Sequence, residues 1–141
     1  MGPFEQLLLD VNMRPGASPD TIAAVAKHMC VEFPSDYVDF MRTSNGYEGL
    51  LSQSYVVIWP IEELVGHNEG YLAREFYPGC VLIGSDGAGE AIAVRKMDGR
   101  IEVVLMPFIG GVPDALVGGN SLEEFLAAYC SGAIWHKRER S

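Results

Sequence analysis

Residues 80–106, CVLIGSDGAGEAIAVRKMDGRIEVVLM, constrain the fold more than any other stretch. They read as three strands joined by two turns. Val81-Leu82-Ile83 is a continuous apolar run, as in a strand covered on both faces. In the second strand Ile92 and Val94 share a face. Asp98-Gly99 is a strong two-residue hairpin signal. In the third, Ile101, Val103 and Leu105 alternate, and Val104 and Met106 make the other face apolar too. Consecutive hairpins give an antiparallel sheet. A sheet that is apolar on both faces needs helices laid on it.

The first of these turns is Gly84-Ser85-Asp86-Gly87-Ala88-Gly89-Glu90. Its G-x-x-G-x-G pattern raises the question of a phosphate loop. A phosphate cradle needs backbone N–H groups at a helix N-terminus. Here a strand follows, and Asp86 and Glu90 stand beside the glycines, so the dinucleotide and P-loop readings fail. The spacing does not match a calcium loop and offers too few oxygen ligands. What remains is a tight turn that needs positive φ.

The flanking segments supply the helices. Phe4, Leu7, Leu8 and Val11 recur at helical spacing, and Pro15-Gly16 ends that run. Ser18 is a good N-cap, with Pro19 at the first helical position. Ile22, Val25, Ala26 and Met29 then form a buried stripe. In the next helix Phe33, Tyr37, Phe40 and Met41 share a face, and Asn45-Gly46 ends it. Asp36 and Asp39 fall on its exposed side. Two carboxylates suggest acid/base work, but no histidine, metal ligand or nucleophile travels with them, so a solvated face that complements the helix N-terminus is the plainer reading. Residues 47–54 read as a loop and Tyr55-Val56-Val57-Ile58-Trp59 as a strand. Pro60 opens a helical insert, with a second helical piece expected over residues 69–76. Residues 107–119 read as a glycine-rich loop of thirteen residues, long enough to suggest function or mobility. Ser121 and Glu124 fit a capping box ahead of a last helix lined by Leu122, Phe125, Leu126 and Tyr129.

A chain of 141 residues with 48 % apolar and 21 % charged side chains is one ordinary globular domain. Residues 1–132 read as that domain and residues 133–141 as a short basic tail, a frayed terminus rather than a nucleic-acid arm. The net charge is −9, and about −11 without the tail. An acidic body repels phosphate backbones and attracts a basic partner, so no nucleic-acid role is expected. Solubility alone also accounts for such a charge. Cys30, Cys80 and Cys130 are odd in number and lack zinc or disulfide spacing. A reducing, cytoplasmic setting fits them best. No signal peptide or membrane span is read. His28, His67 and His136 lie in different segments. No nucleophile elbow occurs. Neither a catalytic constellation, a metal site nor a cofactor is expected.

The order of these signals resembles the SUKH superfamily, in particular its Smi/Knr-type, cell-wall-assembly-regulator-like branch. The likeness runs from about Ser18 to Tyr129. It rests on Phe33-Pro34-Ser35-Asp36-Tyr37 with Phe40-Met41 and Asn45-Gly46, and on Trp59-Pro60-Ile61-Glu62-Glu63-Leu64. Pro78-Gly79 with the block through Glu90, and Ser121-Leu122-Glu123-Glu124-Phe125-Leu126, complete it. The resemblance implies an α+β single domain with a central antiparallel sheet and flanking helices. For many bacterial members it implies immunity, by binding and neutralising a toxin that is often a nuclease. Other members are regulatory or scaffold modules, and a small-ligand-binding domain is a third reading. The family shares no catalytic residues, so none is carried over. The acids expected on a partner-binding surface are Asp36, Asp39, Glu48, Asp86 and Glu90.

Overall fold

The computed structural model describes residues 2–9 and 14–136. It is an α+β fold built on a six-stranded meander in the order β1-β2-β3-β4-β5-β6, every neighbouring pair antiparallel. The strands are β1 (Tyr47–Leu51), β2 (Ser54–Ile58), β3 (Cys80–Ser85), β4 (Glu90–Met97), β5 (Arg100–Pro107) and β6 (Leu116–Gly119). The helices are α1 (Pro3–Leu9), α2 (Pro19–Met29), α3 (Ser35–Thr43), α4 (Leu64–Gly70), α5 (Ala73–Phe76) and α6 (Leu122–Cys130).

The expected meander of β3, β4 and β5 is present. Asp98 and Gly99 both have positive φ, as a tight two-residue hairpin requires, and set Met97 opposite Arg100. Ala91, Ile92, Ala93 and Val94 are all buried, as are Val103, Val104, Leu105 and Met106. Successive strand residues point to opposite faces, so the centre of the sheet is covered on both. Helix α6 lies on β5 and β6, while α4 and α5 lie against β3. Tyr37, Phe40 and Met41 of α3 are buried as their spacing predicts.

Three expectations need correction. Residues 47–54 are not a loop, because β1 pairs with β2 along its whole length. The two strands are joined by Ser52 and Gln53, both at positive φ, a turn that neither residue type signals. Residues 107–119 are not one long loop either. They hold a 3-10 turn (Val112–Asp114) and β6, whose small residues let α6 approach. An added Cβ on Gly118 would lie 2.5 Å from the Phe125 ring. Finally, the first part of the expected tail is packed rather than frayed: Ala133–Trp135 forms a 3-10 turn in which Ile134 is fully buried, while residues 137–141 lie outside the described residues. Val11, expected on the first helix, lies outside the described residues.

The helical insert between β2 and β3 breaks at Leu72, which takes the left-handed conformation at φ 53° and separates α4 from α5. Buried Asn68 sews the insert to the sheet. Its amide donates to the carbonyls of Leu64 at 2.8 Å and Leu82 at 3.0 Å, and its oxygen accepts the Leu82 N–H at 2.8 Å.

Candidate protein-binding surfaces

Three of the five expected acids come together. Glu48 stands on β1, and the Tyr55 hydroxyl, from β2, donates to its carboxylate. The Tyr55 ring lies over the glycine turn, where an added Cβ on Gly87 would be 2.6 Å from the ring. Gly87, at φ 79°, is the only one of that turn's glycines with positive φ. Gly84 is required for another reason: an added Cβ would sit 2.0 Å from the Val57 carbonyl oxygen, where β3 crosses against β2. Within the turn, Asp86 Oδ1 accepts the N–H groups of Ala88 at 2.8 Å and Glu90 at 3.1 Å. The Tyr129 hydroxyl, from the far end of α6, donates to the Tyr55 carbonyl at 2.6 Å. Burial raises its pKa, and the charges of Asp86 and Glu90 raise it further. Glu48 from β1, with Asp86 and Glu90 from the glycine turn, thus make one acidic end of the sheet around Tyr55.

Asp36 and Asp39 do not belong to this group. Asp36 is half-buried, not on an open face, and both its oxygens cap α6. Oδ1 accepts the Leu122 N–H at 2.9 Å and Oδ2 the Glu123 N–H at 2.8 Å. Ser121 Oγ accepts the next N–H, that of Glu124, at 3.1 Å. Two side chains therefore satisfy the first three free donors of the helix, and the carboxylate complements its dipole. The expected capping box is present in shifted form: Glu124 reaches back to the N–H of Asn120, at 2.9 Å, not to that of Ser121. Asp39 is exposed on α3, and its carbonyl accepts the Thr43 hydroxyl at 3.1 Å. Since α6 has nine residues, this end lies about 13 Å from the Tyr129 end.

Two features escaped the sequence reading. One is a groove of about 760 Å³ between the end of α2, the α4–α5 insert and β3–β4, lined by Met29, Val31, Leu72, Val81 and Arg95. The other is a row of stacked rings. Trp59 stacks on His67 at 4.0 Å and on Tyr71 at 6.4 Å, and Tyr71 stacks on Phe108 at 4.5 Å. Nothing in the local patterns around Tyr71 or Phe108 marks them, because the row is assembled from three distant segments. Among the described residues no group of three or more His, Cys, Asp or Glu side chains is placed to hold a metal ion. Likewise, among the described residues no helix is long and apolar enough to cross a membrane.

The model of the SMI1 / KNR4 family (SUKH-1) matches residues 16–128, most of the chain. The chain belongs to the SMI1/KNR4 (SUKH-1) family. The match opens just before α2 and closes inside α6. It therefore takes in the whole SUKH sheet, the glycine turn, and the pairing of Asp36 with the start of α6. Helix α1 and the turn holding Ile134 lie outside it. Among curated proteins none is significantly similar in sequence to the chain.

Proposed function

We propose that this SUKH domain is a cytoplasmic protein-binding module that neutralises a basic, nuclease-type toxin by covering its active surface. One observation carries the reading: Glu48, Asp86 and Glu90 gather around Tyr55 on a body of net charge −9. Such a face attracts a cationic partner and speeds encounter. The mechanism needs no catalysis by this chain, only occlusion. The test is co-expression with a basic nuclease-type toxin domain, taken from a neighbouring gene where one encodes it. Cells carrying the wild-type chain should survive, and cells carrying Glu48→Lys with Glu90→Lys should not. Failure of the wild type to bind that domain at micromolar concentration would sink the reading.

The groove supports a second reading, a small-ligand-binding or regulatory domain, because its volume falls within the usual range for ligand pockets. A ligand copurifying with the chain, and lost on Leu72→Glu, would favour it.

A further inference from the structure

The residue after α4, the end of α5 and the turn after β5 form an exposed apolar face. Ile109 is 94 % exposed, Phe76 57 % and Tyr71 41 %. The face is held firmly in place. Tyr71 stacks on Phe108, and the Tyr77 hydroxyl donates to the Phe108 carbonyl at 2.6 Å. The Gly111 N–H closes the turn on the Pro107 carbonyl at 3.0 Å. Gly111, at φ 68°, packs against the Phe76 carbonyl and the Tyr77 ring, within 3.3 Å of an added Cβ. Ile109 is therefore carried at the tip of a turn tied down on both sides. A backbone fixed before binding loses little entropy when a partner covers the side chains it carries.

This face adjoins the acidic end of the sheet. The Phe108 N–H donates to the Gly89 carbonyl at 2.9 Å, and Glu90 pairs with Pro107 across β4 and β5. We propose that the two halves make one docking surface for a segment of another protein whose apolar side chains are flanked by Lys or Arg. The apolar half receives the anchors, and the acids around it receive the cations, as in the apolar core and polar rim of known interfaces. The proposal rests on the basic-partner reading above. Charge selects this occupant over a second copy of the chain. Glu63 holds His67 at 3.1 Å. The Asp114 carboxylate lies 2.8 Å from an added Gly110 Cβ. Two copies would bring these acids, and two net charges of −9, against each other.

The test uses short synthetic peptides with a Leu/Phe core flanked by Lys, alongside Lys→Glu and Leu→Ser controls. Binding is measured by fluorescence anisotropy to the wild type, Ile109→Asp, Phe76→Ser and the Glu48→Lys/Glu90→Lys double variant. The wild type should prefer the basic apolar peptides. Ile109→Asp, fully exposed and so expected to fold, should weaken them by about thirtyfold, as loss of an anchor does. Wild-type binding by both Ile109→Asp and Phe76→Ser overturns this proposal, and leaves the basic-partner reading standing if the double variant loses binding. Equal binding of basic and acidic peptides to the wild type overturns both. A dimer that dissociates on Ile109→Asp assigns the face to a second copy and likewise overturns the proposal.

Discussion

Asp36 carries more of the fold than its exposed-looking position in the sequence suggests. It lies on α3, yet its carboxylate holds the N-terminus of α6, eighty-six residues away. Periodicity places a side chain on a helix face but says nothing of what meets that face. This is why Asp36 and Asp39, three apart, read alike and act differently. Asp36→Ala should cost about 1–2 kcal/mol, as loss of an N-cap does, measured by urea unfolding, while Asp39→Ala should change little. Tyr37 is the converse case. Its place on the buried stripe of α3 was legible, but its hydroxyl is buried with no hydrogen-bond partner among the described residues. Burial alone raises its pKa. Tyr37→Phe removes a polar group that gains nothing from its surroundings, so the variant should match or exceed the wild type, by up to about 1 kcal/mol in the same assay.

At the scale of elements, legibility follows turn chemistry. Asp98-Gly99 marks its hairpin because those residue types tolerate positive φ. Ser52-Gln53 adopts the same sign of φ with residues that resist it, so β1 was hidden. The strain makes a prediction: Gln53→Gly should stabilise the chain by about 0.5–1 kcal/mol, read as a higher urea midpoint at unchanged slope. An unchanged or lower midpoint would mean that the β1–β2 turn is not left-handed. β6 was hidden for a different reason. Its sequence, LVGG, is chosen for the close approach of Phe125 and Glu124 to Gly118 and Gly119, not for strand propensity. The meander of β3 to β5 was readable because its burial on both faces is written as continuous apolar sequence. The acidic site was readable as a set of residues but not as a group, since Glu48 meets Asp86 and Glu90 only through the pairing of β1, β2 and β3.

For the whole molecule, both its stability and its proposed role have an electrostatic signature. Burial pushes the Cys130 thiol up to about 11, with the Ser54 hydroxyl pulling the other way, and burial also raises Cys80. A thiol raised in the fold keeps its proton where the unfolded chain has lost it. The fold is therefore undiminished on this account below the ordinary thiol value of 9.0, and loses stability as pH rises from there through about 11. The urea midpoint should fall across that window, and Cys130→Ala should flatten the fall. The central claim is that the acidic end of the sheet binds a basic protein. Its most direct test is the dissociation constant for a basic nuclease-type toxin domain, measured at low and high salt for the wild type and for Glu48→Lys/Glu90→Lys. Binding should weaken with salt in the wild type, and should be at least about tenfold weaker and less salt-dependent in the variant. Equal affinity and equal salt dependence for the two proteins would contradict it.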